Sequence, residues 1–263
     1  MMAKNYLLVP LRAIALVIWV LLMPLVFVVA QTLKLPRYNE LPHVFHAGMC
    51  RIFGVRVHTS GDETRLAPAL YVSNHISYLD IIVLGRLRAF FIAKSEVASW
   101  PVFGQLARFQ NTLFIERKAG RARQQTQFMQ EHLRKGQRLT LFAEGTSTNG
   151  THVEAFKSSL FEAANLGEAE PRVAIQPITV AYTHHNGKPM NQAQLDHYAW
   201  YATMPFGSHF AALFPLKKVD VKIHFHPVCY LDEFASRKDC AEHCQKLVAQ
   251  KLADLLQTAA TAR

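Results

Sequence analysis

The apolar positions of the chain fall into one long uncharged run followed by short blocks of alternating character. The run covers residues 13–30, AIALVIWVLLMPLVFVVA, 18 residues without a charge. That length is close to what crosses a hydrocarbon layer about 30 Å thick. It exceeds the apolar core of a typical signal peptide, and no small-residue cleavage pattern follows it. The run therefore predicts a retained membrane helix, with a cleaved signal peptide as the competing reading. Pro24 predicts a kink, or a re-entrant hairpin in place of a full span. Lys4 and Arg12 precede the run and Lys34 and Arg37 follow it, so the flanking charges do not fix its orientation. Residues 41–54 place Val44, Phe45, Met49, Ile52 and Phe53 near helical spacing. They predict an amphipathic helix, lying at a membrane surface or packed into a core.

From residue 55 onward the pattern alternates between strand and helix. Strands are predicted at 55–60, 69–73, 88–94, 111–117, 137–145 (running into a turn), 172–182 and 219–228. Helices are predicted at 78–87, 102–109, 119–135, 156–165 and 234–258. This alternation predicts an α/β fold with a central, mostly parallel or mixed sheet flanked by helices. No linker-like stretch divides the chain after residue 55. The expected organisation is an anchor and interfacial helix over 1–54 and one domain over 55–263. Ligands of open α/β sheets gather beyond the carboxyl ends of strands. The residues there are Asn74, His75, Lys94, Glu116, Arg117, Glu144, Gly145, Thr146 and Pro177.

Composition narrows the setting. Half of the 263 residues are hydrophobic, mean hydropathy is +0.05, the formal net charge is +10 and the pI is about 9.6. A basic, apolar chain suits an anionic membrane or a polyanion. Seven basic residues against two acidic ones in 116–138 give that stretch a charge of +5. Near an anionic leaflet each basic residue contributes about 1 kcal/mol. The same stretch suits a phosphate-bearing ligand or the acidic face of a partner protein. No nucleic-acid-binding motif is present, and the aromatic residues follow the apolar pattern, so nucleic acid is not an expected partner. The four cysteines form no disulfide framework and point to a reducing compartment. Cys240, His243 and Cys244 make a C-A-E-H-C cluster. No second ligand pair at zinc spacing accompanies it, so these read as ordinary helix cysteines, and no metal is expected.

The candidate chemistry begins at YVSNHISYLD, residues 71–80. His75 falls in the turn after a buried strand, and Asp80 in the first turn of the next helix. A histidine titrates near neutrality and can take a proton from an attacking hydroxyl. A carboxylate on its far ring nitrogen fixes the tautomer and stabilises the imidazolium. By spacing alone the pair equally suits an acid stabilising a helix start.

Four blocks in order change that balance: NHISYLD at 74–80, FIER at 114–117, FAEGTSTNG at 142–150 and IQPITVAY at 175–182. With AKSEVASWPVFG at 93–104, they resemble the glycerolipid acyltransferase family of the 1-acylglycerol-3-phosphate acyltransferase type. The resemblance implies a glycerol-3-phosphate acyltransferase-like fold. It implies transfer of an acyl group from acyl-CoA or acyl-carrier protein to a lysolipid hydroxyl, with no cofactor beyond the donor. His75 would be the general base and Asp80 its partner. Asn74, Glu144, Gly145 and Thr146 would shape the acceptor site, with backbone amides near Gly145 as candidate oxyanion donors. Arg117, Lys94 and Lys157 would meet the acceptor's anionic head, and Pro177 would wall the acyl chain. The location implied is the inner membrane, with the domain facing the cytoplasm. One position departs from the pattern: the third block commonly reads E-G-T-R, and Ser147 stands where the arginine would be. The leading acceptor is 1-acylglycerol-3-phosphate; lyso-ornithine lipid or another lysophospholipid is the alternative. An acyl-CoA thioesterase is the nearest chemical rival.

Overall fold

The structure is a computed structural model that describes residues 5–110, 112–115, 120 and 122–261. Two helices come first, α1 (Leu8–Thr32) and α2 (Leu41–Phe53). They are followed by β1 (Val55–Ser60), β2 (Ala69–Ser73), α3 (Leu79–Leu84), β3 (Phe90–Lys94), α4 (Phe103–Phe109), β4 (Leu113–Ile115), α5 (Ala122–Arg134) and β5 (Arg138–Phe142). Then come α6 (Ser158–Phe161), β6 (Ala174–His185), β7 (Lys188–Pro189), α7 (Gln192–Leu195), α8 (Phe206–Leu213), β8 (Val219–Phe225) and α9 (Arg237–Thr261).

The strands form one mixed sheet in the order β1-β8-β6-β2-β5-β3-β4, with β7 hairpinned onto β6. β2 pairs parallel with both β5 and β6, and β8 runs antiparallel to β6. Every residue of β2 is buried, as a strand covered on both faces requires. Side chains alternate between the faces. Leu70 and Val72 join a core with α5 and α9, whereas Tyr71 joins a second core with α2, α3 and α8. The loop after β2 leaves the middle of the sheet between these layers, where β2 and its neighbour β5 both end. The site is built there.

Several elements differ from the sequence expectation. α3 is shorter than predicted and stops at Gly85. A Cβ on that glycine would lie 2.2 Å from the His46 ring, so α2 packs hard against this point. β6 continues three residues past its predicted end, to His185. Residues 183–218 lacked a readable period, yet they fold into β7, α7 and α8. The last two are only four and eight residues long, too short for periodicity to stand out. The outer parts of the predicted strand 111–117 and the start of the predicted helix 119–135 lie outside the described residues.

α1 is continuous through Pro24. It is the one helix among the described residues long and apolar enough to cross a membrane, by length and composition. It also packs lengthwise on the domain. The Trp19 indole donates to the Phe45 carbonyl at 3.0 Å, and a Cβ on Gly48 would sit 2.2 Å from that indole. At the helix start, buried Arg12 donates to the carbonyls of Leu213, Phe214, Leu216 and Lys217. Met49 and Phe53 of α2 belong to the core, so α1 and α2 pack as part of the domain. The opposite face of α1 exposes Leu11, Ile14, Ile18, Leu21 and Leu25, a stripe at helical spacing.

Bonds to a charged donor contribute about 1.5–3 kcal/mol each before compensation. Arg12→Ala is expected to destabilise the folded chain by about 2–4 kcal/mol, read as a lower denaturation midpoint in detergent micelles. An unchanged midpoint would mean that α1 is not fastened there.

Candidate active site

The ends of β2 and β5 and the start of α3 bring the site together. The His75 ring places Nδ1 2.9 Å from Oδ2 of Asp80. Asp80 is fully buried, and its carboxylate is the focus of the loop. Oδ2 also accepts the backbone N–H of Ile76 at 2.6 Å and of Ser77 at 2.9 Å. Oδ1 accepts the hydroxyl of Tyr182, from the middle of β6, at 2.8 Å. Burial, reinforced by the Asp80 charge, pushes the Tyr182 hydroxyl well above its ordinary pKa, so it stays a proton donor. With Asp80 accepting only, the neutral imidazole carries its proton on Nδ1 and presents the Nε2 lone pair. Phe142, the last residue of β5, stacks on the ring at 3.9 Å between centroids, with the planes 14° apart.

A second carboxylate holds the backbone of the histidine. Glu144, 2% exposed, accepts the His75 N–H at 2.6 Å on Oε1 and the Glu154 N–H at 2.7 Å on Oε2. Burial pushes its pKa up from 4.5 to about 7 against the pull of those two donors. Thr148 completes the loop by donating its N–H to the His75 carbonyl at 2.9 Å. Asn74 locks β2 to β6: its amide donates to the Val180 carbonyl at 2.9 Å and accepts the Val180 N–H at 2.8 Å.

His75 opens into a largely apolar cavity of about 410 Å³, within the range of small-molecule sites. Its walls run from His75, Phe142 and Thr146 to Pro24 and Phe27 of α1. His46 and Gln110 also border it. Burial lowers the His46 pKa to about 4, so the ring is neutral and donates from Nε2 to Gln110 Oε1 at 2.5 Å. Another wall is the aromatic segment 200–210, with Trp200, Tyr201 and Phe206. This segment is clasped from both sides of the site. Ser147 Oγ donates to the Trp200 carbonyl at 2.6 Å, and the Trp200 N–H donates to the Ile76 carbonyl at 2.9 Å.

The residues singled out in the sequence occupy different layers. His75 and Asp80 meet, and Gly145 and Thr146 line the cavity. Gly145 sits at φ +73°, and a Cβ there would lie 2.6 Å from the Lys157 ammonium, so Lys157 stands beside it. The Gly145 N–H closes a turn onto the Phe142 carbonyl at 3.1 Å. Both amide atoms of Asn74 and both carboxylate oxygens of Glu144 bond backbone groups, so these two residues organise the loop from beneath the cavity. Pro177 corrects the expectation of an acyl-chain wall. It pairs in register with Val72, and Val72 points to the α9 face, away from the cavity. Lys94 ends β3, and its side chain lies outside the described residues, as does Arg117 altogether. Sequence reasoning missed Tyr182, Phe142 and Trp200. The run HYAWYATMPFGSHF, residues 197–210, carried a signal in its aromatic density.

A family model described as Acyltransferase matches residues 54–181. The lyso-ornithine lipid O-acyltransferase of Brucella abortus is 35% identical over 230 residues, covering 86% of this chain and 85% of that one. A 1-acyl-sn-glycerol-3-phosphate acyltransferase of Neisseria gonorrhoeae is 28% identical, with 71% of each chain covered. The crystal structure of the 1-acyl-sn-glycerophosphate acyltransferase of Thermotoga maritima superposes with a TM-score of 0.71. It covers 98% of this chain and 97% of that one at 18% identity, a likeness of fold.

The raised pKa of Glu144 sets a pH dependence. The folded state binds this proton more readily than the unfolded state, so the contribution is fully present below pH 4.5 and is lost as pH rises through about 7. At most about 3 kcal/mol is involved. Denaturant titrations should show this component of stability falling between those pH values. In Glu144→Gln that fall should vanish, and the variant should be less stable throughout, because an amide cannot accept from both N–H groups. A parallel decline in the variant would assign the effect to another group.

Proposed function

The chain belongs to the glycerolipid acyltransferase family, and we propose that it O-acylates lyso-ornithine lipid at its free hydroxyl, with His75 as general base. It is an acyltransferase acting on lysolipids; the acceptor, the donor and the residue roles are the proposal. The observation that carries the base assignment is the imidazole held by Asp80 through Nδ1, stacked on Phe142 and lining the cavity.

The chemistry is direct attack. The donor is a fatty acyl thioester of coenzyme A or of acyl-carrier protein. The acceptor hydroxyl loses its proton to His75 Nε2 as its oxygen bonds the thioester carbonyl carbon. Asp80 stabilises the imidazolium so formed, and the Tyr182 hydroxyl supports the carboxylate from its other oxygen. The tetrahedral intermediate collapses by breaking the C–S bond. The thiolate takes the proton back from His75, leaving an ester and a free thiol. The apolar cavity suits the hydrocarbon chain of a lipid substrate, and its α1 wall gives that chain a direct way out of a membrane.

Two observations favour lyso-ornithine lipid over 1-acylglycerol-3-phosphate. The relative with 35% identity bears that activity in its name. Ser147 stands where a phosphate-binding arginine is common in the family, and its hydroxyl is occupied by the Trp200 carbonyl. That position therefore presents no cation to a phosphate. An ornithine head is an amino acid, without phosphate, and needs none there.

α1 suits a hairpin arm with α2 that enters the membrane by its exposed stripe while its other face stays on the domain. The domain then lies at the cytoplasmic surface of the inner membrane, where acyl donors are made. The basic stretch 116–138 adds attraction to an anionic leaflet.

Thiol release from acyl-CoA or acyl-carrier protein by the purified enzyme tests this reading. Release should require an acceptor, run faster with lyso-ornithine lipid than with 1-acylglycerol-3-phosphate, and fall about 10²–10⁴-fold in His75→Ala and Asp80→Asn. Equal release without any acceptor would point to a thioesterase. A preference for 1-acylglycerol-3-phosphate would overturn the acceptor assignment alone.

A further inference from the structure

The face of the sheet opposite His75 holds a group of side chains that acyl transfer does not use. Cys229, Cys240 and Cys244 come together there, all buried, with their sulfurs within 4.8 Å of one another. Cys229 and Cys244 are 3.9 Å apart. We propose that these three cysteines form a buried three-sulfur site for a soft, thiophilic cation of the copper(I) class.

The spacing carries the inference. A cation held in a plane by three thiolates at about 2.3 Å sets the sulfurs about 4.0 Å apart. Cys240 and Cys244 are one helical turn apart and point from one face of α9 into the core. Cys229 arrives from another element, and its backbone is held independently. It exchanges two hydrogen bonds with Ile175, each 2.9 Å, an antiparallel bridge onto the start of the internal strand β6. The following turn is stapled to the domain by Arg172, which pairs with Asp232 and lies 3.8 Å over the Tyr230 ring. The three thiols thus converge on a rigid frame, as a preorganised metal site requires.

The ligand set selects the ion. Structural zinc takes four ligands, and among the described residues only these three ligand atoms gather at the site. Exposed His243 leans instead on Phe234, 5.1 Å between ring centroids. Thiolate ligands select soft ions, and copper(I) accepts three of them. Three thiolates around one monovalent cation leave two net negative charges. Cys240 lies in the first turn of α9, where the helix dipole presents its positive end. Binding releases the thiol protons and ties α9 to the sheet, so occupancy stabilises the fold without entering the reaction.

The test uses the full chain in detergent micelles, without oxygen, titrated with copper(I) against a chromophoric copper(I) chelator. The wild type should withdraw one equivalent and gain in unfolding midpoint on doing so. Cys240→Ala and Cys244→Ala should lose both effects, whereas Cys50→Ala should keep them. Retained acyl transfer identifies variants that fold. Copper X-ray absorption on the wild-type complex, independent of any variant, should fit three sulfurs at about 2.3 Å. No withdrawal by the wild type, equal binding by the cysteine variants, or a copper shell without three sulfurs would each overturn the site and leave three core thiols.

Discussion

Four donors converge on one buried carboxylate, and the arrangement of the site follows from that convergence. Asp80 accepts from the His75 ring, from two successive backbone N–H groups and from the Tyr182 hydroxyl. A buried carboxylate without partners would be costly, several kcal/mol or more. Here the partners come from two separate parts of the fold. The imidazole and the N–H groups belong to the loop between β2 and α3, and Tyr182 belongs to the middle of the sheet. Satisfying the carboxylate therefore fixes the loop conformation, the ring orientation and the position of α3 on β6 together.

Glu144 performs the same service one layer away. It ties the His75 backbone to the turn after β5, while Thr148 ties the His75 carbonyl to the same turn. The histidine is thus gripped by its ring, its N–H and its C=O. A base held by three independent contacts keeps its geometry as substrates come and go, the condition for efficient proton transfer. The cavity wall is gripped as well: the Trp200 segment hangs between Ile76 and Ser147. The proposed use of Ser147 follows from this, because a side chain that holds the wall does not also hold a phosphate.

What the sequence revealed followed from distance along the chain. His75 and Asp80 lie five residues apart, and the helix turn between them makes their meeting legible. The strand-and-helix alternation foretold the sheet because each element carries its own period. The rest is non-local. Tyr182 reaches Asp80 across 102 positions, and Ser147 reaches Trp200 across 53. Neither contact leaves a local pattern. Cys229 lies 15 residues before Cys244, outside the short pair spacing by which metal sites are usually read. Pro177 was misplaced for a related reason: a strand's motif does not reveal which face each residue takes until the register is known. Helix α8 escaped notice because it is short and its Phe206 and Phe210 pack on Tyr78, a contact that leaves no local period.

The central claim is that Asp80 keeps the His75 proton on Nδ1 and leaves Nε2 free for the substrate. Nitrogen-15 NMR of histidine-labelled enzyme at about pH 8, where an ordinary imidazole is neutral, reads this directly. The His75 signal is identified by its loss in His75→Gln. The account predicts a protonated Nδ1 and an unprotonated Nε2 for that residue, with Asp80→Asn abolishing the preference. A proton found on Nε2 in the wild type would contradict it, because such a ring could not accept the hydroxyl proton from the cavity.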